Sequence, residues 1–291
     1  MAEVKTLVVG ASGMLGRELM RLHPKASGTC FRNNTGNLIK LDLADFEQAK
    51  TMVSAIKPEL IFLCAAETNV DECERNPDAT HRINVWGAKG IADAAREANS
   101  RLVYISSDYV FDGKKDQPYT ESDLLNPINN YGRQKLAAEH YILSRCNHPL
   151  IVRTSTLYGK SDKGFIHRLL RTVGNGAKLK VSGNVVTPTS ARDLATVLFD
   201  TFRTPNHCWP SGGIINLCGN EPMKKVNYAR KIAQTWELDD KLIEEVVEGS
   251  DDSPYSATRP VYSALQCDKN WSSRMDWTNG IVQMKKVWDE K

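Results

Sequence analysis

Thr6-Leu7-Val8-Val9-Gly10-Ala11-Ser12-Gly13-Met14-Leu15-Gly16 is the stretch that decides the fold. An apolar, β-branched run enters three glycines spaced three apart, and Leu15, Leu19, Met20 and Leu22 then continue at helical spacing. A strand that turns through such a loop into a helix leaves unpaired N–H groups at the helix start. The helix dipole adds positive potential there, so the turn suits a pyrophosphate. Strand before and helix after make the glycines informative, where alone they would be a common packing turn.

Outward from this turn the pattern alternates. Val4–Val9, Leu60–Cys64, Leu102–Ile105 and Leu150–Val152 read as strands covered on both faces, because their apolar runs are nearly continuous. Between them Leu15–Leu22, Phe46–Ile56, Ala79–Ala98 and Gln134–Leu143 carry helical spacing. The alternation predicts an α/β chain, a Rossmann-type doubly wound parallel sheet. After Gly159 the texture changes to Gly, Pro, Asn and Ser, with helical patterns at Phe165–Val173, Ala191–Phe202, Val226–Trp236 and Gly280–Val287 and a strand at Ile214–Leu217. The expected division is 1–160 for the dinucleotide domain and 161–291 for a smaller C-terminal substrate-binding lobe, interleaved, with elements near 189–218 returning to the first.

Composition narrows the class. With 41% apolar and 25% charged residues the chain is an ordinary globular protein, neither disordered nor fibrous. A net charge of +3 gives no reason to expect nucleic acid or an anionic membrane as partner. No apolar run approaches the roughly 20 residues of a membrane span, and the start enters a strand without room for a signal peptide, so the expected address is the cytoplasm. Seven cysteines, at 30, 64, 73, 146, 208, 218 and 267, show no C-x-x-C, and six histidines show no H-E-x-x-H. Reduced thiols and no metal are expected.

The second strand, near Gly28-Thr29-Cys30-Phe31, ends in Arg32, where an NAD site would carry an acid about 20 residues past the glycines. A guanidinium pairs with a 2′-phosphate, which predicts NADP(H). Asp42-Leu43 closes the third strand, where a carboxylate can take an adenine amino group, although Asp42 could equally cap the helix at Phe46–Ile56, for which Asp45 is better placed. Cys64-Ala65-Ala66 closes the fourth, with alanines small enough to admit a ribose. The expected cofactor residues are Gly10, Ser12, Gly13, Met14, Leu15, Arg32, Asp42, Leu43, Cys64, Ala65 and Ala66, joined by Tyr131 and Lys135.

Tyr131-Gly-Arg-Gln-Lys135 opens a helical pattern, so phenol and ammonium share a face. Chance alone supplies about 0.6 such matches in this composition, and the pair gains meaning only from its surroundings. Leu102-Val-Tyr-Ile105 delivers Ser106-Ser107-Asp108 to the carboxyl edge of the sheet, where doubly wound folds bind ligands. Hydride donor, phenol, ammonium and hydroxyl together make a kit for reducing a ketone, with Ser107 orienting the oxygen, Tyr131 donating the proton and Lys135 holding the ribose and lowering the phenol pKa.

Gly10-x-x-Gly13-x-x-Gly16, Cys64-Ala-Ala66, Tyr104-Ile-Ser-Ser-Asp-Tyr-Val-Phe-Asp-Gly113, Tyr131-x-x-x-Lys135, Val152-Arg-Thr-Ser155, Leu157-Tyr-Gly159 and Arg259-Pro260 before Ser263 together resemble the dTDP-4-dehydrorhamnose reductases. The resemblance runs to about Asp268. It implies an extended short-chain dehydrogenase/reductase fold, Ser107, Tyr131 and Lys135 as catalytic trio, and a nucleotide-linked 4-keto-6-deoxy sugar as substrate. It also implies that Thr68, Val70, Asp108, Thr156 and Arg259 line the substrate, with Thr187-Pro-Thr189 near cofactor or sugar nucleotide. The chain departs from the family at Thr156, where a tryptophan usually flanks the sugar, and at Glu67 and Asn69, which leaves hexose and nucleotide open. It is similar as well, in Phe31-Arg32, Cys64-Ala-Ala-Glu67 and Ser106-Ser-Asp-Tyr-Val-Phe-Asp-Gly113, to the regulatory subunit of methionine adenosyltransferase, an NADP-binding partner subunit. A homodimer is an admissible assembly that nothing in the sequence fixes.

Overall fold

The computed structural model describes residues 4–32, 36–161, 164–202, 212–247 and 255–289. Its strands are β1 (Thr6–Val9), β2 (Ser27–Cys30), β3 (Ile39–Lys40), β4 (Leu60–Leu63), β5 (Arg101–Ser107), β6 (Leu150–Thr154), β7 (Leu157–Tyr158), β8 (Leu179–Ser182), β9 (Val185–Val186), β10 (Thr189–Ser190), β11 (Gly213–Asn216), β12 (Met223–Lys224) and β13 (Ile243–Val246). The α-helices are α1 (Met14–Leu22), α2 (Phe46–Ile56), α3 (Val70–Arg75), α4 (Pro77–His81), α5 (Ala88–Glu97), α6 (Asn130–Arg145), α7 (Phe165–Gly174), α8 (Ala191–Phe202), α9 (Lys225–Thr235) and α10 (Trp277–Asp289).

Seven strands form one parallel sheet in the order β3-β2-β1-β4-β5-β6-β11. The chain starts in the middle and winds outward both ways, so the crevice where the order reverses lies beyond the carboxyl ends of β1 and β4. Alternate residues of each strand serve opposite faces. Val8, Phe62, Val103 and Val152 pack with α1 and α8 through Leu15, Leu19, Leu194 and Leu198. Leu7, Ile61, Leu102 and Ile151 pack with α2, α5 and α6 through Val53, Ile91 and Ile142. Both faces are covered, which is why the strands read as unbroken apolar runs.

A separate core gathers Leu169, Val181, Ile232, Ile243 and Ile281 from α7, β8, α9, β13 and α10. It forms the second lobe, while α8 and β11 rejoin the first. Here the parallel pairing of β8 with β13, Leu179 opposite Ile243, is a feature the sequence reading lacks.

The helix expected at Ala79–Ala98 is α4 and α5 joined by a π-helical turn, Arg82–Gly87. The wider turn accompanies a side-chain demand: buried Asn84 binds the Glu67 backbone on both sides, accepting from its N–H at 2.8 Å and donating to its carbonyl at 3.0 Å. The third strand is shorter than expected, ending at Lys40 and leaving Asp42 in the turn before α2. Cys30, Cys73, Cys218 and Cys267 are buried free thiols; Cys208 lies outside the described residues. Among the described residues no helix is long and apolar enough to cross a membrane.

Candidate active site

The glycine turn sits at the reversal point of the sheet. Gly10 has φ of +90°, and a Cβ there would fall 2.7 Å from the Ala65 backbone nitrogen. The loops after β1 and β4 therefore touch, and only glycine fits. Gly13 caps α1 without any side-chain hydrogen bond, so the first N–H groups of the helix have no side-chain partner. Its own N–H donates to the Gly10 carbonyl at 3.0 Å, closing the turn. A Cβ on Gly16 would come within 2.2 Å of that same carbonyl. Backbone donors at a helix start, small residues opposite and no acidic cap make a cradle that fits a dinucleotide pyrophosphate.

Arg32 follows β2 at this edge, exposed, with its guanidinium 5.2 Å from the Phe31 ring centroid. Asp42 is turned to local work: its Oδ1 accepts from the Ala44 N–H at 2.9 Å. Asp45 caps α2, accepting from Gln48 N–H at 3.0 Å. Leu43 is buried in the core under α5, where Gly87 leaves room for it. Cys64, Ala65 and Ala66 are half-buried at the end of β4, and burial pushes the Cys64 thiol up to about 12.

Ser107 ends β5, and Tyr131 and Lys135 lie on the first turns of α6, which Asn129 caps by accepting from the Gly132 N–H at 2.8 Å. Gly132 lets α6 come close: a Cβ there would meet the Tyr109 carbonyl at 2.0 Å. All three side chains are at most 9% exposed. Burial raises the Tyr131 phenol above its ordinary range, opposed in part by hydrogen bonding with Ser107. Burial lowers the Lys135 ammonium to about 8, against the pull of Glu139.

That ammonium donates to the Ile105 carbonyl at 2.7 Å and lies 4.3 Å from the Tyr104 ring centroid. In this arrangement the lysine is held by β5, and desolvation governs the tyrosine.

The residues expected at the substrate separate. Thr68 is exposed and Val70 half-buried at the start of α3. Thr156, between β6 and β7, is a β-branched residue at φ of +40° and lines a small cavity with Met14, Gly159, Phe165 and Tyr228. Arg259 is clamped by Asp71, and Asp108 faces inward among serine hydroxyls.

Other buried groups escaped the sequence reading. Arg153 and Glu139, both essentially inaccessible, form a two-point ion pair at 3.1 and 2.7 Å, with Ser106 donating to the same carboxylate at 2.5 Å. Gln134 accepts from Asn84 at 2.8 Å and donates to Thr80 at 2.9 Å, pinning α6 to the π-helical turn. Polar residues at i and i+4 of Lys135 were the available signal for Glu139.

Comparison with known proteins agrees with this geometry. A family profile described as RmlD substrate binding domain matches residues 4–287. Methionine adenosyltransferase 2 subunit beta of Rattus norvegicus is 31% identical over 278 residues, covering 91% of this chain and 81% of that protein. A dTDP-4-dehydrorhamnose reductase of Aggregatibacter actinomycetemcomitans is 32% identical over 195 residues, 67% of this chain and 66% of that one. The crystal structure of dTDP-4-dehydrorhamnose reductase from Bacillus anthracis str. Ames in complex with NADP superposes with a TM-score of 0.85 at 27% identity, covering 98% of this chain and 100% of that chain. With glycine cradle, Ser107, Tyr131 and Lys135 all inside the matched span, the chain belongs to the RmlD substrate-binding-domain family.

Proposed function

We propose that the chain is an NADPH-dependent reductase of the 4-keto group of a nucleotide-linked 4-keto-6-deoxy sugar. The observation that carries this reading is the convergence of Ser107, Tyr131 and Lys135 at the carboxyl edge of β5, in the same fold as the glycine cradle at the reversal point. The N–H groups around Gly13, Met14 and Leu15 hold the pyrophosphate, Arg32 takes the 2′-phosphate, and Ala65 and Ala66 leave room beside them.

When bound, NADPH supplies the hydride. Tyr131 supplies the proton to the forming alkoxide, and burial keeps its phenol protonated at neutral pH, the state that a donor needs. Ser107, hydrogen-bonded with Tyr131, sets that phenol toward the oxygen, and the Ile105 carbonyl holds the Lys135 ammonium. The family and its reductase members support this reading.

The test is oxidation of NADPH with a panel of nucleotide-linked 4-ketosugars, comparing wild type with Tyr131→Phe. Turnover reduced by about 10²–10⁴-fold in the variant is the expected result. A second reading, a non-catalytic partner subunit that binds NADP, is favoured by the likeness to methionine adenosyltransferase 2 subunit beta over 91% of the chain. Absence of turnover with every ketosugar, together with stable co-purification with a methionine adenosyltransferase catalytic chain, would select it.

A further inference from the structure

Asp108 follows Ser107 and opens a 3-10 turn, Asp108–Val110, at the edge of the sheet. It is only 3% exposed, and its carboxylate is enclosed by hydroxyls from separate segments. Oδ1 accepts from Ser107 Oγ at 2.9 Å. Oδ2 accepts from Ser155 Oγ at 2.9 Å and from Ser263 Oγ at 2.6 Å. The titratable neighbours that feel its charge are Tyr131 on α6 and Cys218 after β11.

A serine hydroxyl has one proton, and that of Ser107 is committed to Asp108. Ser107 Oγ also accepts from the Tyr109 N–H at 3.2 Å. Two of its hydrogen-bonding directions are therefore occupied, and what remains is presented to Tyr131. The other serines come from elsewhere. Ser155 follows β6, and its Oγ accepts from the Thr187 N–H at 3.4 Å. Ser263 belongs to the chain segment that runs alongside β9, with its N–H on the Val185 carbonyl at 2.8 Å. Its partner across the carboxylate is the residue at the reacting edge.

We propose that Asp108 is a positioning residue which fixes the Ser107 hydroxyl toward Tyr131 and makes that orientation depend on docking of the segment that carries Ser263. This rests on the reading of Ser107 and Tyr131 as the reacting pair. The carboxylate acts through Ser107. Removing a donor on the far side of Oδ2 releases the carboxylate and with it the serine.

Ser263→Ala is the probe, with two readouts. Amide exchange at Tyr109, whose N–H reports the position of Ser107 Oγ, is expected to quicken by about tenfold, while the Ala257 amide, which is bound to Asp71, stays unchanged. In NADPH-dependent ketosugar reduction kcat is expected to fall by about tenfold at constant KM, with no further loss when Ser263→Ala is added to Ser107→Ala. Unchanged Tyr109 exchange, or losses that simply add, overturns the proposal. Ser155→Ala, which removes the other donor to Oδ2, carries the same expectations should Ser263→Ala fail to fold. If Ser107→Ala keeps full turnover, the catalytic reading falls instead, and Tyr109 exchange still judges the link through Asp108.

Discussion

Asp71 and Arg259, 188 positions apart, form a two-point ion pair, with Nη1 on Oδ1 at 2.6 Å and Nη2 on Oδ2 at 2.7 Å. The same Oδ1 accepts from the N–H groups of Ser256 and Ala257 at 2.8 and 3.0 Å. One carboxylate on α3 thus gathers the chain segment that lies between β13 and α10. Tyr255 backs the guanidinium, 4.3 Å from ring centroid to charge.

The pair makes stability depend on acid. Burial alone pushes the Asp71 carboxyl up, but Arg259, the Ala257 N–H and Ser256 outweigh it and hold the group well below the usual carboxylate range. A depressed folded pKa gives stability that is present above the unfolded value, about 3.9, and is lost as pH falls toward the folded one. Melting temperature of the wild type is therefore expected to drop steeply below about pH 4, with a flatter acid limb in Asp71→Asn. At pH 7 that variant is expected to lose about 2 kcal/mol in denaturant unfolding.

Arg32 gives the sharpest statement about the cofactor. It is exposed, and no carboxylate competes for it in the hydrogen bonds of the described residues. A charge-assisted bond to a 2′-phosphate is worth about 1.5–3 kcal/mol, so Arg32→Ala is expected to lower the NADPH/NADH ratio of kcat/KM by about tenfold to a hundredfold. An unchanged ratio would remove Arg32 from the site.

How much of this was legible follows from what each residue faces. The helix α2 coincides with the sequence reading because Asp45 caps its start and its apolar residues fall at helical spacing. Strands β1 and β4 were plain because burial on both faces demands unbroken apolar runs. The pairing of β8 with β13 was hidden because Lys180, Glu244 and Glu245 interrupt their apolar pattern. Within the site, the spacing of Tyr131 and Lys135 is close to chance, and only Ser107 at the end of a plain apolar strand gives the pair meaning. Around Asp108, nothing local announces that Ser155 and Ser263, far along the chain, enclose its carboxylate. Long-range partners of a polar side chain leave no periodicity to read.

Lys135 places function in conflict with stability. Its ammonium is lowered from 10.5 to about 8 because it is buried, so the folded chain releases a proton that the unfolded chain retains up to the ordinary lysine value. The unfolded state then binds more protons between those limits, and stability rises with pH across that window; below it the full cost, about 3 kcal/mol, is present. Replacing the charge with an apolar side chain of similar length removes that cost but strands the Ile105 carbonyl. Lys135→Met is expected to abolish turnover while raising the melting temperature at pH 7 by a few degrees and flattening the profile above pH 8.

The Glu139–Arg153 pair carries the opposite expectation. Both partners are inaccessible, and each is tied twice to the other. Removing one alone leaves a charge in the interior, so Glu139→Ala or Arg153→Met is expected to cost about 3–5 kcal/mol. The double replacement by apolar residues of similar volume is expected to cost far less than the sum, which a double-mutant cycle in denaturant measures.

Thr156, which the family resemblance puts at the substrate, sits on a strained backbone. At φ of +40° it occupies the left-handed region, where a β-branched residue costs about 1–2 kcal/mol. The conformation is imposed by its surroundings: its carbonyl accepts from the Thr189 N–H at 3.1 Å, and the next residue, Leu157, is already paired in β7 with Thr189 of β10. Asparagine tolerates this region far better, without the entropy cost of glycine. Thr156→Asn is therefore expected to raise stability by about 0.5–1 kcal/mol in denaturant unfolding. Because Thr156 lines a cavity beside Met14 and contributes no proton to the reaction, KM for the ketosugar is expected to change more than kcat. A variant no more stable than wild type would show that the packing of the threonine side chain outweighs its backbone strain.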